Sequence, residues 1–208
     1  MPTRRRKAKK SIFGMVPVKK VVTNLKKTVA KLNKVYEADD GQLDVSSGFT
    51  VSNTPTAEIL SATAQGDDRN TRSGNATVLK RLKHRTLLSS NGAAFCYVRI
   101  IYFQAKDANA TLPTIAQLLQ TATNVTSDYA PDTVKDFRIL SDKLHSVQPN
   151  TLGSPINKAW EGTLKLRGTN TYTGAASNTY DRNHIFRIVL ASSADAVFTS
   201  WTRCHYSR

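Results

Sequence analysis

Thiols are scarce in this 208-residue chain: Cys96 and Cys204 are the only two. Two cysteines are too few for a disulfide framework. With no Cys-x-x-Cys or His-x-x-x-His spacing, they are also too few for a zinc site. The expectation is a pair of buried thiols. Long apolar runs are missing as well. No stretch nears the ~18 residues that cross a bilayer, although apolar content is 39%. None follows the basic N-terminus, so no secretory signal is expected, and the Asn-x-Ser/Thr triplets at Asn75, Asn109 and Asn124 are expected to carry no glycan. Catalytic signatures are absent too. There is no Gly-x-Ser-x-Gly elbow and no glycine-rich phosphate loop. The histidines (His84, His145, His184, His205) are scattered, and Cys204 and His205 would point to opposite faces of a strand. Carboxylates pair only as neighbours, at Asp39/Asp40 and Asp67/Asp68, whereas glycoside hydrolysis needs two converging across a cleft. Nothing in the residues argues for an enzyme.

Acids are missing where bases are densest. Residues 1–34 hold twelve Lys/Arg and no Asp or Glu: Arg4, Arg5, Arg6, Lys7, Lys9, Lys10, Lys19, Lys20, Lys26, Lys27, Lys31 and Lys34. Residues 35–208 hold eighteen bases and fifteen acids, so most of the net +15 sits on an N-terminal arm. Such an arm binds polyanions by neutralising phosphates and releasing counterions, without reading sequence. These twelve residues are the candidate nucleic-acid-binding set.

The arm divides in two. Residues 1–17, with Pro2, Gly14 and Pro17 as breakers, read as a disordered Arg/Lys-rich segment. The Arg4–Lys10 run also has the composition of a nuclear localisation signal. In residues 18–36, apolar side chains fall at Val18, Val22, Leu25, Val29, Leu32 and Tyr36, a heptad seam with the lysines off it. This spacing predicts a basic amphipathic helix. Fewer than three heptads are marginal alone, so the helix needs a partner surface. A membrane is one such surface. A seam rich in Val, with no Trp or Phe, favours contact between copies of the chain, with the lysines towards nucleic acid. Val22, Leu25, Val29 and Leu32 are the seam positions expected at that contact.

Residues 37–56 are rich in Ser, Thr, Gly and Asn and read as a linker. From 57 to 208 short apolar runs alternate with turn residues. Strands are expected over residues 57–64, 76–88, 93–104, 135–147, 160–167, 184–191 and 197–206, with a short helix over 114–121 and one short strand within 168–183. Seven or eight strands without a βαβ rhythm give an all-β antiparallel sandwich or jelly roll. Within "VLKRLKHRTLL", a regular strand would put Lys80 and His84 on one face with Leu82. Arg81, Lys83 and Arg85 would share the other, where they extend a phosphate-binding surface or line a solvated face.

The most polar run of the body is Gln65–Gly74, "QGDDRNTRSG". It closely resembles the loop between the first two core strands in the coat proteins of satellite tobacco necrosis virus and its relatives. "LPTIAQLLQTAT" is similar to that family's helical excursion, "YAPDTVKDFRILSDKLHS" to the segment that follows, and "HIFRIVL" to its penultimate strand. The basic arm and amphipathic helix occupy the family's nucleic-acid-binding position. The resemblance implies an eight-stranded antiparallel viral jelly roll with a short helical excursion. It implies a shell of about sixty copies, inward arms, and N-terminal helices clustered in threes. Val and Leu alternating at this seam favour pairs in a free coiled coil, so any three-fold cluster is imposed by the shell. The resemblance also implies calcium at subunit contacts, partly through an acid near the C-terminus. This chain has no carboxylate side chain after Asp195, which leaves the metal ligands unknown, with Glu37, Asp39, Asp40, Asp67 and Asp68 as weak candidates.

The leading expectation is a capsid protein of the virion that forms a homo-oligomeric shell around a single-stranded genome of RNA or DNA, with no membrane partner and with passage through the host nucleus before assembly. Asp67, Asp68, Arg69 and Arg72 are expected on an exposed loop at a subunit interface. The alternative is a non-viral basic nucleic-acid-binding protein of chromatin or ribosome type, which would stay small in the presence of nucleic acid. A jelly-roll lectin or enzyme would instead need a ligand pocket.

Overall fold

A computed structural model describes residues 22–29, 40–92, 94–106, 112–148, 157–177 and 181–207. The chain forms two units, residues 1–39 and 40–208.

In the first unit, residues 22–29 form helix α1. Its seam residues are exposed, Val22 to 47%, Leu25 to 64% and Val29 to 49%, so the apolar stripe is open for a partner. Lys26 and Lys27 lie on the same helix and are exposed. Leu32, the remaining arm bases, Glu37 and Asp39 lie outside the described residues. Among the described residues, no helix is long and apolar enough to cross a membrane.

The second unit is a sandwich of two antiparallel sheets. Among the described residues nine strands follow in order: β1 (Asp40–Thr50), β2 (Thr56–Ile59), β3 (Ala76–Ser90), β4 (Cys96–Ala105), β5 (Phe137–Val147), β6 (Asn157–Lys165), β7 (Thr169–Thr171), β8 (Ile185–Ala191) and β9 (Ala196–Ser207). One sheet has the order β1-β9-β3-β6, with short β7 also pairing with β3; the other has the order β2-β8-β4-β5. Successive strands alternate between the sheets except at β4–β5 and β6–β7. This is the wrapped Greek-key order of a jelly roll, as expected, with β7 as the extra short strand.

The expected linker over 37–56 does not survive, because β1 pairs with β9 along its whole length, from Asp40↔Ser207 to Thr50↔Val197. Its pattern is the period-2 alternation of a half-buried strand: Leu43, Val45, Ser47 and Phe49 point inward and Asp44, Ser46, Gly48 and Thr50 outward. Ser47 breaks the inward apolar count and hides that alternation. Gly41 marks close packing rather than a chain break. A Cβ there would lie 2.2 Å from the Tyr206 ring.

β2 is shorter than expected. Pairing with β8 stops at Ile59, and Leu60–Ala64 continues as loop with Leu60, Ser61 and Thr63 buried. In β3 a bulge between Leu79 and Arg81 lets both Leu79 and Leu82 face the core. Lys80 therefore does not share the inward face of Leu82 and His84. The expected exposure of Arg81, Lys83 and Arg85 on the other face holds.

The core has two parts. One fills the sandwich, with Leu82, Leu88, Val98, Ile100, Val189 and Phe198 among its members. The other lies on the far side of the β2-β8-β4-β5 sheet, where residues 112–136 fold back over it and bury Ile115, Leu118 and Leu119 against Ile101, Phe103, Phe186 and Ile188. This double cover explains why every residue of β8 is buried and why it reads as an apolar run broken only by Arg187. The expected helix of residues 114–121 is a single turn, α2 (Ile115–Leu118), whose entry is held by the Thr114 N–H donating to Gln117 Oε1 at 2.8 Å. It stops because Leu119 bridges Tyr129 in extended geometry.

Candidate functional site

The loop Gln65–Gly74, the most polar run of the body, has the geometry of a structural clasp. The Arg72 side chain is fully buried. Its Nε donates to the Thr63 carbonyl at 3.0 Å and its Nη1 to Asn75 Oδ1 at 3.2 Å and to the Gly74 carbonyl. Its Nη2 donates to the Gly174 carbonyl, and the guanidinium lies 3.9 Å from the centre of the Tyr172 ring. Burial pushes its pKa below the ordinary arginine value. The backbone closes the loop through Gly66 N–H to Arg72 O at 2.9 Å and Thr71 N–H to Asp68 O at 3.0 Å. Gln42 N–H donates to Arg69 O, and Tyr206 Oη to Thr71 O, which ties the loop to β1 and β9. Arg72 therefore cannot face a neighbouring subunit as expected. Its donors are consumed by carbonyls of its own chain. Asp67, Asp68 and Arg69 are exposed on the rim.

A second polar constellation was not foreseen. Arg99 of β4 grips Asp142 of β5 with Nε at 3.0 Å and Nη2 at 2.6 Å, while its Nη1 donates to the Val125 and Ser127 carbonyls at 3.2 and 2.5 Å. Tyr129 donates to the same carboxylate at 2.5 Å. Burial alone would raise the Asp142 pKa, but the hydrogen bonds from Arg99 and Tyr129 outweigh it and hold the carboxyl below its ordinary range. Arg99 Nη1 and the Tyr129 hydroxyl pin residues 112–136 onto the sheet. The signal in the sequence, an Arg inside an apolar strand, has meaning only once β4 and β5 are paired.

The thiols are inert, since Cys96 and Cys204 are free and buried, and burial pushes Cys204 up to about 12. Among the described residues no three His, Cys, Asp or Glu side chains converge on a point where a metal ion could sit. The described residues of a single copy do not fit calcium, and no step is assigned to it.

The outer face of the β1-β9-β3-β6 sheet is strongly charged. The register there sets Arg81, Lys83 and Arg85 of β3 beside His205, Arg203 and Trp201 of β9. Beyond β3 lie Lys165, Thr163 and Glu161 of β6; beyond β9 lie Gln42, Asp44 and Ser46 of β1. Arg203 forms a two-point pair with Asp44 at 2.6 and 2.7 Å, and exposed Arg85 meets Glu161 at 3.3 Å.

The family model for the satellite tobacco necrosis virus coat protein matches residues 4–207. The chain belongs to that family. The coat protein thus has a structural role in a virion, and its jelly roll is the fold the resemblance led us to expect. Three solved structures of viral shells are similar in outline. A chain of the Desmodium yellow mottle tymovirus shares 10% identity at a TM-score of 0.34, covering 81% of this chain and 86% of its own. One of Cocksfoot mottle virus shares 15% at 0.33, covering 80% and 92%. The 60-mer BFDV capsid protein shares 9% at 0.32, covering 80% and 90%. These likenesses are too low to carry an argument, and membership rests on the family match alone. No curated protein matches the chain.

Proposed function

We propose that this coat protein assembles into a small icosahedral shell of about sixty copies and packages a single-stranded genome through residues 1–34. The observation that carries the reading is the charge division: twelve bases and no acid before residue 35, and a near-neutral jelly roll after it. Sixty such arms carry roughly 700 positive charges, enough to neutralise a large part of a genome of about a thousand nucleotides. The open seam of α1 supports burial of Val22, Leu25 and Val29 against the helices of neighbouring copies. Arm contacts to phosphates do not distinguish RNA from DNA. A calcium ion shared between copies through Asp67 and Asp68 is a further element of this reading. It would require carboxylates from more than one chain.

The test is to express the full chain and a variant with the twelve arm bases changed to Gln, then size both by analytical ultracentrifugation and electron microscopy. The full chain is expected as particles near 1.4 MDa, about sixty times 22.9 kDa, that protect nucleic acid from nuclease. The variant is expected to give empty particles or none. Equal amounts of protected nucleic acid in the two would overturn the arm assignment. A full chain that stays small with nucleic acid present would favour the chromatin- or ribosome-type reading instead.

A further inference from the structure

The outer face of the β1-β9-β3-β6 sheet carries a charge arrangement that the described residues do not explain. Arg81 stands directly across from Lys165, and Lys83 directly across from Arg203. Like charges opposite each other on neighbouring strands are destabilising. Arg81, Lys83 and Lys165 have no carboxylate partner among the described residues, and the two acids on this face, Asp44 and Glu161, are taken by Arg203 and Arg85. Two like-charge pairs side by side are tolerable where an anion lies over them.

The same face changes character along the strands. The row past Trp201 is uncharged: Gly48, Thr199, Leu87 and Ala159, with Ser46 beside Trp201, floor a depression of about 820 Å³ whose rim carries Arg85 and Glu161. Gly48 is not needed for packing within the chain, because a Cβ there would meet only Thr199 Oγ1, at 4.0 Å. A groove of about 650 Å³ with Lys83, Arg85 and Arg203 on its walls adjoins this floor, and Trp201 borders both. The Trp201 ring is held in place by cations, with the Arg203 Cζ at 4.8 Å from its centre and the Arg85 Cζ at 5.9 Å.

The geometry points to a second nucleic-acid site here, on the folded body, for a single strand. Its phosphates lie over Arg81, Lys83 and Lys165, and a base seats on the small-residue floor against Trp201. A duplex keeps its bases stacked inside and has none to offer, whereas single-strand sites combine a basic track with an aromatic platform in this way. The site rests on the proposed function only for the identity of the polyanion. It also orients the subunit, since this sheet face then looks into the shell.

The test uses the full chain and a fluorescently labelled oligothymidine, with two readings: anisotropy of the label, which reports all binding, and tryptophan emission. The chain has two tryptophans, and Trp160 stacks on His145 at 4.1 Å on the inward side of the sheet. Emission is expected to be quenched on binding, and the quenching to be lost in Trp201→Phe and reduced in Gly48→Val, which fills the floor without touching the fold. Trp201→Ala should weaken binding roughly ten-fold. Lys83→Glu should lower the slope of log affinity against log salt by about 1 to 2. If anisotropy rises while Trp201 emission stays unchanged, this site is wrong and the arm reading stands. If no oligonucleotide binds, both fall. If Trp201 emission changes only on assembly without nucleic acid, the face is a contact between copies and the inference is overturned.

Discussion

Arg187 of β8 donates through Nε to Glu58 Oε2 on the adjacent strand β2 at 3.0 Å, inside the sandwich. The arginine is fully buried. It also reaches across to the other sheet, donating to Ser200 Oγ of β9 at 2.6 Å and Ser47 Oγ of β1 at 2.8 Å, with its Cζ 4.8 Å from the Phe198 ring centre. One charged side chain thus joins three strands to its own through the middle of an apolar core. A buried charge is tolerated only when its donors are satisfied, and removing one partner of such a pair costs about 3–5 kcal/mol.

We therefore expect Glu58→Ala to destabilise the unassembled subunit by about 3 kcal/mol in urea unfolding. The double change Glu58→Leu with Arg187→Met should recover much of that loss, because no uncompensated charge remains. A double variant no better than the single one would mean that the bonds to Ser47 and Ser200 dominate.

Arg72→Glu should prevent folding rather than assembly. The change strips donors from the Thr63, Gly74 and Gly174 carbonyls and buries an acid among them, which exceeds the margin of a typical domain. Arg69→Glu, on the exposed rim of the same loop, should leave the circular dichroism spectrum and melting temperature unchanged while lowering particle yield. Folded, soluble Arg72→Glu subunits would refute the clasp.

Acid should weaken the subunit through His184. Burial pushes its pKa down to about 4. Its Nε2 donates to the Thr171 carbonyl at 2.9 Å, and Nδ1 accepts from Ser61 Oγ at 3.1 Å, which in turn accepts from the Ile185 N–H at 2.9 Å. The unfolded imidazole takes a proton near pH 6.5 and the folded one only near 4. Stability is therefore full above about pH 6.5 and falls as pH drops through that window, by about 2 kcal/mol between pH 7 and 5. His184→Gln should remove about that much of the dependence and leave the share of His145, which burial also pushes down to about 4, as read from urea unfolding at the two pH values.

Leu25→Asp should separate folding from assembly. Leu25 is 64% exposed on α1, so the charge disturbs no packing within the chain. Thermal unfolding of the unassembled subunit should be unchanged, and particle yield or size should fall. Wild-type particles from this variant would remove the seam from the assembly contact.

The legible parts of the fold were those in which local pattern and burial agree. β4, β8 and β9 stand in the sequence as apolar runs or alternations, and sequence reasoning placed them within a few residues. β1 was hidden because Ser47 replaces an inward apolar position of its alternation. Ser47 is there to receive Arg187, a residue 140 positions away. The bulge that turns Lys80 away from the core is likewise invisible, since it comes from the register of β9 against β3.

The site divides in the same way. The arm and the α1 seam were readable because charge segregation and a heptad period are properties of contiguous residues. Arg72 was misplaced because polarity along a chain reports composition, whereas burial is decided by what folds over it. The pairing of Arg81 with Lys165 and the place of Trp201 between Arg85 and Arg203 belong to no local pattern.

By itself, the sequence determined the all-β class, the basic arm, the amphipathic seam and the family. Each follows from hydrophobic period, charge or motif within a few tens of residues. Tertiary structure alone decided that β1 is a strand and that an arginine bridges the core. It alone decided that the polar loop is closed from within and that bases from β3, β6 and β9 share one face. Strand pairing brings together residues far apart in the chain, and the cost of burying a charge or opposing like charges exists only after that pairing is made.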